Sequence, residues 1–129
     1  MKKFIQVMKS LSDPTRIKIL KMLQHRQMCV CEIQEALGIA QSTASKHLKL
    51  LEEAGLTTHK KDGLWVNYAL ADGSDNPYAS NMLGNLRHWL EGEAEVVELA
   101  RRLPEIRREE ICRTQNSRTG RTQTKGALR

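Results

Sequence analysis

This chain of 129 residues contains no long apolar run, and its opening, "MKKFIQVMKSLSD", has a basic start but no small-residue cleavage pattern. We therefore expect no membrane span and no signal peptide, and we place the chain in the cytoplasm. Cysteine is scarce and odd in number, three in all. In a reducing compartment that argues against a disulfide framework and for metal or thiol chemistry. A phosphate-binding loop, a nucleophile elbow and paired catalytic carboxylates are all missing, so no enzymatic activity is expected. No internal repeat interrupts what its length makes a single domain.

Charge is abundant but unevenly placed. The net charge is +6. Residues 1–70 carry 11 Lys/Arg against 6 Asp/Glu, residues 71–112 carry 5 against 9, and residues 113–129 carry 5 against none. A basic front half suggests a polyanion partner, and the acidic middle suggests a different task.

The apolar spacing is mostly helical. Phe4, Val7, Met8 and Leu11 form one short amphipathic stripe. "SDPTRIKILKML" restarts the pattern, with Asp13 as N-cap and Pro14 at the first helical position. "CEIQEALGIAQSTASKHLKLLEEAGL" reads as helix, tight turn, helix. Ile33, Ala36 and Leu37 form the buried side of the first helix, and Gly38 sits where a left-handed C-cap belongs. Ala44, Leu48 and Leu51 line the second, and Gly55 closes it. Opposite them lie Ser42, Ser45, Lys46 and Lys49, with Gln41 at the helix start.

Two short helices joined by a glycine-containing turn are the helix-turn-helix plan. "LTTHKKDGLWVNYAL" then gives two strand-like runs around Asp62 and Gly63, a strong hairpin signal. The expected fold is mostly α with a small β-hairpin wing, a winged helix-turn-helix that binds double-stranded DNA. Gln41, Ser42, Ser45 and Lys46 are placed for base edges and phosphates. Lys49, Lys60 and Lys61 supply sequence-independent affinity, and His47 sits on the flank, against a phosphate or packed at the turn.

Ala79, Leu83, Leu86, Leu90 and Val97 approximate a heptad seam, with Trp89 beside it and a break at Gly92 and Glu93. With no other helix to cover that seam, we expect a homodimer through the N- and C-terminal helices. Its operator would be near-palindromic, with half-sites about 34–36 Å apart or a multiple of that. Residues 1–112 form the DNA-binding and dimerisation domain. Residues 113–129 have almost no apolar content and are expected to be a basic disordered tail.

Cys29 and Cys31 stand one residue apart at the head of the first helix of the motif. Thiols that close can hold a soft ion or be oxidised together. In order and spacing, "LSDPTRIKILKML", "MCVCEI", "QSTASKHLKLLEEAGL" and "KDGLWVNYAL" resemble the ArsR/SmtB family of metal-responsive repressors, over residues 3 to 100. The likeness is nearest to the arsenic-responsive members. It implies a dimeric repressor that leaves its operator on binding As(III) or Sb(III), with no cofactor needed for folding.

One departure stands out. The three-cysteine arsenic pattern is Cys-x-Cys-x-x-Cys, and here Gln34 holds the last position. As(III) prefers three soft donors, and Cys29 and Cys31 supply two, both as thiolates. Cys112, a glutathione thiol or hydroxide is left as the third. Met28 reads as packing. Cadmium and lead sensors of the family also carry Cys-Val-Cys, usually with extra cysteines in an N-terminal arm, and this sequence has no cysteine before Cys29. The family's zinc pattern is matched by Asp75, His88 and Glu91 but interrupted by Pro77, and Asp75 reads better as an N-cap. A thiol-redox or persulfide switch on the same fold is the remaining alternative.

On a continuous α-helix, residues i and i+2 point about 200° apart. Placed at the start of that helix, Cys29 and Cys31 cannot both grip one ion unless its first turn is unwound, so ion binding is expected to distort the start of the helix that positions the recognition helix.

Overall fold

The computed structural model describes residues 1–107. The expected domain end at residue 112, Cys112 itself and the basic tail therefore lie outside the described residues. The chain runs α1 (Lys2–Ser10), α2 (Pro14–Leu23), β1 (Met28–Cys29), α3 (Val30–Leu37), α4 (Gln41–Glu53), β2 (Thr57–Asp62), β3 (Trp65–Leu70), α5 (Pro77–Leu86) and α6 (Ala94–Arg102), ending in a 3₁₀ turn (Leu103–Glu105). This is a winged helix-turn-helix, as the pattern predicts.

Local chemistry sets the boundaries. Asp13 caps α2, its Oδ2 accepting from the Arg16 backbone N–H at 3.0 Å, with Pro14 in the first turn. Gly38 ends α3 at φ 67°, a conformation that a side chain would strain, and its N–H returns to the Gln34 carbonyl. The chain then turns straight into α4. Ile19, Leu20, Met22, Met28, Ile33, Leu48, Leu51 and Leu56 are all at most 1% exposed and form a common core. That core fixes α3 against α4 and both against α2.

The wing gains a strand that apolar spacing does not reveal. β2 and β3 pair antiparallel with Asp62 opposite Trp65, so Gly63 and Leu64 form the tip. β1 pairs with the other edge of β3, Met28 opposite Tyr68 and Cys29 opposite Asn67, giving the order β1-β3-β2. Two residues are too few to show a period-2 pattern, so only the ladder reveals the strand.

The long C-terminal seam needs correction. Ala79, Leu83 and Leu86 do not form an open stripe; they are buried in the chain's own core. α5 also stops at Leu86, earlier than the break expected at Gly92 and Glu93. The cause is Lys21, which is 3% exposed: its ammonium donates to the carbonyls of Leu86 at 2.6 Å and Trp89 at 2.9 Å and pairs with Glu91. Those carbonyls are satisfied without another turn of helix. The chain reverses through Leu90, at φ 65°, and α6 folds back onto α2, where Lys18 pairs with Glu95. The cap of α5 is Asn76, not Asp75; its side chain accepts from the N–H groups of Tyr78 and Ala79.

Candidate nucleic-acid interface and cysteine site

α4 is amphipathic in the way a DNA-reading helix must be. Ala44, Leu48 and Leu51 are fully buried, while Gln41, Ser42, Ser45, Lys46 and Lys49 are exposed on the other side. Exposed Thr43 in the first turn and Leu50, 44% exposed, join that face and were not singled out by residue type. Lys60 and Lys61 are exposed on β2 beside the hairpin tip. Glu52 at the end of α4 meets His59 of β2, Oε1 lying 2.8 Å from Nδ1. This pair ties the wing to the helix that carries the polar face.

His47 is half-buried, and its Nδ1 lies 3.3 Å from Arg16 Nη1. A guanidinium only donates, so Nδ1 is the acceptor in this contact. Arg16 also donates from Nε to Ser10 O at 2.9 Å and from Nη2 to Lys9 O at 3.2 Å. His47 thus sits where α2 meets α4, with Arg16 as its neighbour. Arg16 gives no sequence signal beyond being a charge on a helix.

The cysteines occupy a strand-to-helix junction. Cys29 is the N-cap of α3, at φ −87° and ψ 169°, and is 2% exposed. Cys31 is half-buried and is the second residue of the helix. The expectation that both lie on one continuous helix is therefore corrected: Cys29 is extended backbone, and the 200° argument does not apply to it. A capping box holds it instead. Cys29 Sγ faces the backbone N–H of Glu32, and Glu32 Oε1 accepts from the Cys29 N–H at 3.0 Å.

As a soft-ion site the junction offers two thiols, the right donor type for a thiophilic ion but one short of three. Among the described residues no three His, Cys, Asp or Glu side chains gather where they could hold a metal ion. That applies to Asp75, His88 and Glu91 as well, and Glu91 is engaged by Lys21. The Lys21 ammonium, hydrogen-bonded to Glu91 and close to it, holds that carboxyl below its ordinary value. Gln34 Oε1, in the position of the missing third cysteine, is buried with no hydrogen-bond partner among the described residues.

Comparison with known proteins agrees with this geometry. Residues 13–58 match the model of the "Bacterial regulatory protein, arsR family". The "Arsenical resistance operon repressor" of Bacillus subtilis is 36% identical over 84 residues, covering 64% of this chain and 80% of that one. The chain belongs to the ArsR family of transcriptional regulators.

Its relatives are named for different resistances. The "Cadmium resistance transcriptional regulatory protein CadC homolog" of Staphylococcus aureus is 40% identical, over 52% of this chain and 56% of that one. Among solved structures, reduced HlyU from Vibrio cholerae superposes with a TM-score of 0.58 at 28% identity, covering 69% of this chain and 90% of that one. The matched family is one of bacterial regulatory proteins, and among the described residues no helix is long and apolar enough to cross a membrane.

Proposed function

We infer that this protein is a dimeric repressor that holds operator DNA through α4 and the wing, and releases it when As(III) or Sb(III) is bound by Cys29 and Cys31. The observation that carries the reading is the placement of both thiols where β1 passes into α3, the helix packed directly against α4. Gln41, Ser42, Ser45 and Lys46 contact bases and phosphates; Lys49, Lys60 and Lys61 add charge.

The protein's own residues supply the linkage. In this reading the ion draws Cys29 Sγ away from the Glu32 N–H that it faces, which frees the Glu32 carboxylate and the first-turn N–H groups of α3. A loosened α3 no longer fixes the tilt of α4, and a coupling of about 1–3 kcal/mol is ordinary for such a link. Dimerisation is assigned to α1 together with the start of α5. Met1, Phe4, Ile5 and Tyr78 are each 41% exposed or more, and Phe4 and Tyr78 stack edge to face at 5.4 Å.

The cadmium-associated relative favours a second reading, in which a divalent soft ion is the effector. Operator anisotropy during titration with arsenite, antimonite, Cd(II), Pb(II) and Zn(II) separates the two. Arsenite or antimonite is expected to release DNA at the lowest concentration, and release by Cd(II) or Pb(II) alone would overturn the metalloid assignment. Release by oxidant with no ion, together with a disulfide or added sulfur by mass, would transfer the same cysteines to thiol sensing.

A further inference from the structure

Glu32 is 4% exposed, rare for a carboxylate, and both of its oxygens are engaged. Oε1 accepts from the Cys29 N–H at 3.0 Å, and Oε2 accepts from Arg26 Nη1 at 3.0 Å. The same guanidinium reaches onward: Nη2 donates to the carbonyls of Leu103 at 3.3 Å and Ile106 at 2.9 Å. One planar fork therefore joins the cap of α3 to the segment that follows α6. At the far end of α3, Arg102 Nη1 donates to the Ala36 carbonyl at 3.0 Å, one of the last-turn carbonyls that the helix leaves open. The C-terminal segment grips α3 at both ends, but only the Arg26 end includes a cysteine.

We propose that Arg26 is a positioning residue for the cysteine site: it keeps Glu32 in the capping box, so that the Cys29 cap and the docking of residues 103–106 open and close as a unit. A buried carboxylate stripped of its cation cannot stay in place without a desolvation penalty, so Glu32 leaves the box when Arg26 is removed. Lysine is a poor substitute, because a point charge cannot span a carboxylate and two carbonyls as the guanidinium does. Coupling is reciprocal. Whatever draws Cys29 out of its cap loosens the C-terminal segment, and a partner that holds that segment in place keeps the cap closed. The regulatory meaning rests on the cysteine-site reading above; the linkage itself does not.

Residue-resolved amide hydrogen exchange on the full chain without effector tests it. Arg26→Gln is expected to speed exchange of both the Cys29 and the Ile106 N–H at least tenfold, leaving Ile19 and Leu20 in α2 unchanged. Arg26→Lys should fall between the two proteins, and provides the same ratio if Arg26→Gln does not fold. Arg102→Gln should speed the Gly38 N–H, which bonds to Gln34 O at 2.9 Å, without moving Cys29. An unchanged Cys29 rate in both Arg26 variants, or equal acceleration of every amide, would overturn the proposal. Failure of every ion to release DNA from the wild type would instead remove the effector reading and leave the exchange result standing.

Discussion

Arg16 Nη1 lies 3.3 Å from His47 Nδ1, joining the start of α2 to the flank of α4. Because Arg16 also donates to Ser10 and Lys9 carbonyls, its charge is spent inside the protein. Arg16→Ala should therefore raise the operator dissociation constant about three- to tenfold, on the scale of one hydrogen-bonded contact. The log K against log salt slope should not change. A flatter slope would place Arg16 on a phosphate.

The wing lysines should behave in the opposite way. Lys60 and Lys61 are exposed, and a dimer carries four of them. Replacing both with alanine should flatten the salt slope by up to about 3.6, taking 0.9 for each phosphate contact. Equilibrium binding at a series of salt concentrations gives the number. An unchanged slope would take the wing out of the phosphate contacts.

Lys21 should matter more to stability than to DNA. Lys21→Met leaves the Leu86 and Trp89 carbonyls without their donor and should destabilise the fold by about 1–3 kcal/mol in chemical denaturation. The same contact sets a pH dependence. Glu91 has a lowered folded-state value, so its contribution is present above the ordinary carboxylate value and lost as pH falls through the lowered one. Glu91→Gln should remove that part of the acid-side loss of stability. An unaltered acid limb would show that the pair adds nothing.

The dimer face is tested by Phe4→Ser with Ile5→Ser. Both side chains are more than 40% exposed, so the variant should keep its helix content while sedimenting as a monomer with much weaker operator binding. A variant that remains dimeric would move the interface elsewhere, with the exposed Trp89, Leu90 and Val97 the next surface to examine.

The helix-turn-helix was legible because its signals are local. Asp13, Pro14, Gly38 and Gly63 each dictate the backbone around them, and the apolar spacing on α3 and α4 agrees with the faces buried. The C-terminal third was harder to read. Heptad spacing in Ala79, Leu83 and Leu86 marks a buried face but not what buries it, and Lys21 ends α5 from 65 residues away in sequence. At the cysteine site the residue types were visible and the backbone was not. A two-residue strand leaves no periodic trace, so the extended conformation of Cys29 depends on its pairing with Asn67. Nothing local in the sequence links Arg26 to Glu32; their joint role exists only once the C-terminal segment has returned to α3.

The most direct test of effector capture at the α3 cap compares arsenite-induced operator release by wild-type protein and by Cys29→Ser/Cys31→Ser. Serine at both positions preserves size and hydrogen bonding but removes the soft donors, so the variant should bind operator as the wild type does and stay bound at arsenite concentrations that release the wild type. Equal release from both proteins would contradict the account and place the effector site elsewhere in the chain.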